Sequence, residues 1–256
     1  MRRLADYEYL TCTVTLAALW LAVNIGAWIA QRWPVKEEQR PQLERVTGTV
    51  LSILALIIGF SFSAAIGRYD LRKNYEEEEA NAIDTEYRLA DLLPEADAAQ
   101  LRALLAQYVP LRVAYYSTTD YTELTSTRTQ RATLESEMWA VVVRNARADR
   151  SPIMGQVLAG MANVLRRPGY SEAASRDRIP DGTWTLMAIL AALSCALLGY
   201  GGHGRQVVAV QLAVPLFVAL AFLVIASLDA QRRGVIRVNP ENLLRLEEQW
   251  ASQPKP

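Results

Sequence analysis

The stretch VTGTVLSILALIIGFSFSAAIG, residues 46–67, decides the fold class, because it contains no charged side chain. About 20 apolar residues in an α-helix cover the roughly 30 Å hydrocarbon core of a bilayer. The stretch runs directly into residues 68–93, a charged segment without proline or glycine. We therefore expect one helix that crosses a membrane and continues into water as far as Pro94.

Three further windows, residues 10–30, 184–200 and 207–228, are also free of charged side chains. The first is too long and starts too late for the core of a signal peptide. The last two are separated only by GGHGRQ, residues 201–206, which predicts a tight helical hairpin. The sequence thus predicts an all-α membrane protein with four transmembrane helices. Residues 1–67 hold the first two spans, at about 10–30 and 46–67, and residues 184–228 hold the other two.

An even number of spans places both termini and the long segment 68–183 on the same side of the membrane. Basic residues are more numerous near the spans on that side than on the other. They are Arg2, Arg3, Arg68, Arg72, Lys73, Arg176, Arg178, Arg232, Arg233 and Arg237, against Arg32, Lys36, Arg40, Arg45 and Arg205. The positive-inside rule therefore predicts cytoplasmic termini, a cytoplasmic domain at 68–183 and a cytoplasmic tail at 229–256.

The segment 68–183 has helical periodicity throughout and predicts a helical bundle inserted between spans 2 and 3. An apolar stripe near its start comprises Ala80, Ile83, Tyr87 and Ala90. The sequence then predicts a helix capped by Asp97, a third helix after residues 117–120, and a short fourth helix from Pro152 to about Arg166. Residues 167–182 are expected to form a loop. Because large apolar residues are few, we expect the bundle to pack against its own membrane helices or neighbouring subunits.

Four consecutive carboxylates, residues 76–79, follow the second span. Such a run is most often a solvated helix face, with Arg72 and Lys73 one turn away. Glu76 and Glu79, however, lie toward the apolar stripe, so the alternative is that they pair with arginines or line a charged vestibule together with Arg68. A dinuclear metal site is disfavoured because no Glu-x-x-His spacing occurs here.

Within the second span, Ser52, Leu56 and Phe60 recur at one-turn intervals, and Ser63 and Gly67 continue the stripe. Taken alone, this pattern favours ordinary helix packing in lipid, where serine and glycine allow close approach.

Composition argues against several functional classes. The 27 basic and 27 acidic residues balance, which disfavours nucleic-acid binding. His203 is the single histidine, and Cys12 and Cys195 both lie in apolar runs, so a metal site or disulfide framework is not expected. No nucleophile–base pair, phosphate-binding loop or cofactor motif indicates an enzyme. The four windows also lack the buried ionisable groups that a proton-coupled transporter needs.

Four sequence segments carry a resemblance to a known family. They are GFSFSAAIGRYD (59–70), EEEEANAIDTEYRLADLLP (76–94), RVAYY (112–116) and LDAQRRGVIRV (228–238). Together they resemble the bestrophin-like family of bacterial four-span membrane proteins, which is distantly similar to bestrophin ion channels.

The resemblance implies a homopentamer in the bacterial inner membrane, with the second span of each subunit around a central axis. Bestrophins narrow the pore with apolar side chains at three successive turns, and the matching positions here are Ser52, Leu56 and Phe60. Ser52 departs from this apolar pattern. Calcium gating is not supported, because only Asp229 stands where animal bestrophins have an acidic cluster.

These observations predict an oligomeric ion channel whose partners are the lipid bilayer, further copies of the chain and inorganic ions. The pore-lining residues would be Ser52, Leu56, Phe60, Ser63 and Gly67. The alternative is a non-conducting membrane scaffold or sensor whose cytoplasmic helices bind another protein.

Overall fold

The computed structural model describes residues 2–118, 121–202, 207–230 and 236–252, and within these ranges it contains helices and no strand. The α-helices are α1 (Arg2–Arg32), α2 (Arg40–Leu89), α3 (Glu95–Ser117), α4 (Tyr121–Ala148), α5 (Pro152–Arg176), α6 (Asp181–Gly201), α7 (Val207–Asp229) and α8 (Glu241–Ala251). Short 3-10 turns, Glu37–Gln39 and Ala90–Leu92, flank α2. The all-α prediction is confirmed.

Four helical segments are long and apolar enough to cross a membrane. They lie within Leu10–Arg32, Glu37–Leu92, Pro152–Gly201 and Gln211–Asp229. Each contains one of the windows predicted from the sequence, or most of it. The prediction of four helices long and apolar enough to span a membrane is therefore confirmed.

Helix α2 is a single helix of 50 residues. At a rise of 1.5 Å per residue it is about 75 Å long, far more than a bilayer core requires. It is continuous because residues 68–93 contain neither proline nor glycine, and it ends in a 3-10 turn just before Pro94. The chain divides into two compact units, and α2 contributes to both.

The first unit comprises Met1–Arg68 and Arg178–Arg237. Its buried apolar centre includes Leu19, Val23, Ala191, Cys195 and Val218, contributed by α1, α6 and α7. Small residues bring α1 and α6 close together. A Cβ atom added to Gly26 would overlap the carbonyl oxygen of Ala196, and one added to Gly199 would overlap that of Val23.

The second unit comprises Tyr69–Asp177 and Val238–Pro256. It is a helical bundle formed by the C-terminal part of α2 together with α3, α4, α5 and α8. Its core contains Ile83, Leu101, Leu105, Met138 and Met161, each with no exposed surface. Tyr87 stacks on Trp250 of α8, with ring centroids 4.2 Å apart. The bundle therefore has a continuous apolar core built from its own helices.

Two expectations about the bundle were wrong. Helix α5 runs to Arg176 rather than ending near Arg166, so much of the expected loop at 167–182 is helical. The helix passes through Pro168, whose buried ring packs in the bundle together with Ser171 and Ala174, and this packing offsets the lost backbone hydrogen bond. Helix α3 begins at Glu95 after Pro94, so Asp97 lies inside its first turn and is not its cap.

Part of the loop between spans 3 and 4 lies outside the described residues. His203 and Arg205 belong to that part, and Arg232 and Arg233 lie in another such segment.

Candidate pore face and polar network of α2

Helix α2 presents two opposite faces along the first unit. Leu54, Ser61 and Ala65 are buried, at 2%, 6% and 0% exposure. On the opposite face, Leu56 and Phe60 are 57% and 68% exposed in the isolated chain. Intervals of three, four and seven residues keep each set on its own side of the helix. More than half of the surface of Leu56 and of Phe60 is therefore left uncovered by the described residues.

The other predicted pore residues lie on the same exposed face. Ser52, Ser63 and Gly67 are all exposed. The hydroxyl of Ser52 donates to the carbonyl oxygen of Gly48 at 2.8 Å, so this polar group is satisfied within the helix. Apart from the helix's own backbone, no described atom lies within 4 Å of a Cβ built on Gly67. The structure thus brings all five predicted pore residues onto one surface of one helix.

Beyond Gly67 the same face becomes polar. Asp70, Asn74 and Asn81 are exposed there, whereas Arg72 on the other side is only 3% exposed. Arg68, which was predicted to line a vestibule or form an ion pair, is half-buried at the start of this segment. The exposed face of α2 therefore changes from apolar to polar where the helix leaves the predicted span.

The buried face of the same segment holds an ion pair in the second unit. The guanidinium of Arg112 donates through Nε to Oε1 of Glu79 and through a terminal nitrogen to Oε2 at 3.0 Å. The hydroxyls of Tyr116 and Ser171 lie 3.0 and 3.3 Å from the same Oε2. Both charged side chains are 1% exposed. Glu79 thus joins α2 to α3 and α5.

Aromatic rings complete the surroundings of this pair. The Arg112 guanidinium lies 4.4 Å from the centroid of the Tyr115 ring, a distance suited to a cation–π interaction. Burial and the nearby carboxylate of Glu79 raise the pKa of Tyr116 well above its usual value, so its phenol stays a neutral donor. A bidentate pair with further hydroxyl donors satisfies most of the hydrogen-bonding capacity of both ions.

Glu76, three residues earlier, holds the N-terminus of α8. Its Oε1 accepts backbone N–H bonds from Asn242 and Leu243 at 3.1 and 3.0 Å, and its Oε2 accepts from Nδ2 of Asn242 at 2.8 Å. Helix α8 begins after Pro240, which makes no side-chain cap. Burial raises the pKa of Glu76, whereas the hydrogen bonds from Asn242 and Leu243 lower it. A carboxylate from α2 therefore replaces the missing cap and complements the helix dipole.

Of the four consecutive carboxylates, two point inward and two outward. Glu77 and Glu78 are exposed, and Glu78 pairs with Arg167 of α5. Glu76 and Glu79 are both buried. Among the described residues, no group of three or more His, Cys, Asp or Glu side chains could hold a metal ion.

Sequence reasoning did not identify Arg112, Tyr116, Ser171 or Asn242 as partners of the inward glutamates. One available signal was Arg112 itself, which follows Tyr108 by four residues and so lies on the same side of a helix as Leu101, Leu105 and Tyr108. Another was ENLLRLEEQW, residues 241–250, whose apolar spacing is typical of an amphipathic helix.

Comparison with known proteins agrees with this architecture. Residues 17–243 match the Bestrophin-like domain family. A crystal structure of a bacterial Bestrophin homolog from Klebsiella pneumoniae has a TM-score of 0.66 at 15% identity, with 96% of this chain and 99% of that chain covered. A crystal structure of a membrane protein variant has a TM-score of 0.70 at 13% identity, with 95% and 96% covered. No curated protein sequence matches the chain.

The likeness to these structures extends over nearly the whole length of each chain, and the family match covers most of the sequence, including α2 and both inward glutamates. Four apolar helices, a long second helix and a helical bundle are thus features of one family fold. The protein is a membrane protein that belongs to the Bestrophin-like family.

Proposed function

We propose that the protein is a homo-oligomeric ion channel whose axial pore is lined by α2. The observation that carries this proposal is the apolar face of Leu56 and Phe60, which is exposed in the isolated chain of a Bestrophin-like protein. Helix α2 packs on its own subunit through Leu54, Ser61 and Ala65, so the opposite face is free to meet an axis. Ser52, Ser63 and Gly67 on that face suit a water-filled lining better than contact with lipid tails.

The barrier in this channel would be a hydrophobic neck. In a pentamer, five copies of Leu56 and Phe60 form two stacked apolar rings one helical turn apart. Water held between such rings solvates an ion poorly, so ions pass only when the neck widens or becomes wet. Ser52 flanks the neck on one side, and Ser63 and Gly67 flank it on the other.

The proposed arrangement in the membrane follows from the charge distribution. Residues 1–67 and 184–228 provide the four spans, and residues 68–183 and 229–256 lie in the cytoplasm with both termini. Arg68, Arg72 and Lys73 follow the second span directly, which supports this orientation. The membrane is the bacterial inner membrane, and the partners are lipid, further copies of the chain and inorganic ions rather than nucleic acid. Glu76 and Glu79 are structural, since they bind α8 and Arg112 inside the bundle. We propose no enzymatic activity.

Planar-bilayer recording of the L56A/F60A double variant tests the neck. We expect higher conductance than wild type, or a constitutively open pore, because alanine widens and rewets the constriction. Stability should fall by less than the roughly 2–5 kcal/mol typical of large-to-small changes at packed sites, since both side chains are exposed in the subunit.

The matched control is L216A/F217A on α7, where the two side chains are 47% and 70% exposed. This control removes the same atoms from an apolar surface that would not face the axis, so its currents should equal those of wild type. Silence from a correctly assembled L56A/F60A oligomer would refute the channel proposal. A scaffold would instead show no current in any variant and lower oligomer stability when Leu56 and Phe60 are truncated.

A further inference from the structure

Near the C-terminal end of α2, a carboxyl group is buried without a hydrogen-bond partner. Glu86 has no exposed surface, and neither of its carboxyl oxygens is hydrogen-bonded to any group in the described part of the chain. Its neighbours one turn away on the same helix face, Ile83 and Ala90, belong to the apolar core of the bundle. A polar group buried in this way without a hydrogen bond destabilises the fold, so its presence calls for an explanation.

Helix α5 makes room for this carboxyl group with a glycine. A Cβ atom on Gly160 would overlap Oε2 of Glu86 and would lie 2.9 Å from Cδ1 of Leu89. Any residue larger than glycine would displace the carboxyl group or separate the two helices. Helices α2 and α5 therefore meet at Glu86 and Gly160, with the carboxyl group directly against the backbone of α5.

The charged side chains on the surrounding helices do not neutralise Glu86, because they are paired elsewhere or exposed. On α2, Arg88 pairs with Asp84. On the other helices, the ion pairs are Arg102 with Asp91, Arg112 with Glu79, Arg144 with Asp97 and Arg167 with Glu78. Arg245 of α8 is exposed. Among the described residues, no cation is hydrogen-bonded to Glu86, and Gly160 presents only backbone to its carboxyl group.

The chemistry of such a site depends on its proton. Burial raises the pKa of Glu86 from 4.5 to about 8, and no neighbouring charge contributes to this shift. The folded protein therefore keeps this proton over a range in which the unfolded chain has lost it. Protonation of Glu86 therefore makes the free energy of unfolding depend on pH: this free energy is highest below pH 4.5 and declines as the pH rises toward about 8. Above that pH, the carboxylate carries a full charge in an apolar contact.

We propose that Glu86 and Gly160 form a proton-controlled joint between α2 and α5. In the neutral form the carboxyl group packs against Gly160 and closes the contact. When the proton is lost at alkaline pH, the carboxylate needs water, and the two helices separate at this point to admit it. The joint belongs to the bundle alone and does not depend on ion conduction, so it can be tested whether or not the protein is a channel.

The experiment compares the full-length protein with its E86Q and E86M variants by thermal unfolding at pH values from 6 to 9. For wild type, the unfolding equilibrium constant should rise by up to about tenfold per pH unit below pH 8, the effect of one proton, and then level off. In both variants, this rise of the unfolding equilibrium constant with pH should be absent. E86M also removes the buried polar atoms while keeping a similar volume, so it remains informative if E86Q does not fold.

The matched control is E77Q, which neutralises an exposed carboxylate on the same helix and should retain the wild-type pH dependence. Hydrogen exchange in the first half of α5 gives a second measurement. After correction for the intrinsic rate, exchange there should increase from pH 6 to pH 9 in wild type and remain constant in E86M. Parallel unfolding curves for wild type and E86M, or exchange in α5 that does not respond to pH, would overturn the proposal.

Discussion

At the scale of single residues, the buried ion pair of Glu79 and Arg112 is a polar contact inside the bundle. Two ions that are both 1% exposed have lost their hydration and depend on each other. Glu79 of α2 accepts hydrogen bonds from Arg112 and Tyr116 of α3 and from Ser171 of α5, so these three helices share one polar contact. Its main effect is therefore to fix how the helices meet, since apolar residues could fill the same space.

Removing one ion should cost far more than removing both. We expect R112M to destabilise the bundle by about 3–5 kcal/mol, because Glu79 is left buried and unpaired. The double variant R112M/E79M should recover most of that loss. The control is R128A, since Arg128 is 60% exposed and its pair with Glu172 should contribute no more than about 1 kcal/mol. Denaturant unfolding of the four proteins measures these differences, and equal losses in R112M and R128A would contradict this interpretation.

The residues of this site were predictable from the sequence only in part. The helical spacing of Glu76 and Glu79 relative to Ala80 and Ile83 indicates which side of α2 they occupy. The identity of their partners does not follow from spacing, because Arg112 and Asn242 lie 33 and 166 residues away. Such contacts depend on how the bundle helices pack against one another. The spacing of residues within one helix does not predict that packing.

At the scale of whole helices, the contact of α1 with α6 depends on two glycines. A Cβ atom on Gly26 or Gly199 would overlap a backbone carbonyl group of the facing helix, and backbone cannot move aside as a flexible side chain can. Close approach of this kind lets two helices pack well in lipid, where the hydrophobic effect does not drive them together.

We therefore expect G26A and G199A each to lower stability by about 1–3 kcal/mol through overpacking. The control is G48A on α2, since no described atom outside the helix's own backbone lies within 4 Å of a Cβ built there. This change should be neutral or stabilising by up to about 1 kcal/mol, because alanine has the higher helix propensity. Thermal unfolding of the purified protein in detergent distinguishes these outcomes. If G26A unfolds at the same temperature as G48A, the proposed close packing is wrong.

The helices whose bounds follow from composition alone were predicted well. The helices whose bounds depend on tertiary packing were predicted less well. Uninterrupted apolar windows indicated all four membrane helices, and the lack of proline and glycine indicated the length of α2. The extension of α5 through Pro168 was missed because its stabilisation comes from tertiary contacts of Ser171 and Ala174. Helix α8 was not predicted, although Leu243 and Leu246 bury one face of it.

At the scale of the whole molecule, the proposed orientation predicts which loops a membrane-impermeant thiol reagent can reach. Cys12 and Cys195 should first be replaced by serine, since both are free thiols. In intact cells we expect Q39C to be labelled and T118C to remain unlabelled, because Gln39 lies in the short segment between spans 1 and 2 and Thr118 follows α3. Labelling of T118C after permeabilisation is the control for access, and the reverse pattern would overturn the topology.

The two units of this molecule are interlaced along the chain, and this has a consequence for its synthesis. Glu76 leaves the ribosome 166 residues before Asn242, the residue that satisfies it. At common translation rates this interval is on the order of 10–30 s. During it the carboxylate has no partner, and the groove of the bundle core that receives Leu243 and Leu246 of α8 is uncovered. A message truncated just before α8 would therefore yield a product with every membrane helix but an open bundle core. Chaperones and proteases could recognise that product by its exposed groove.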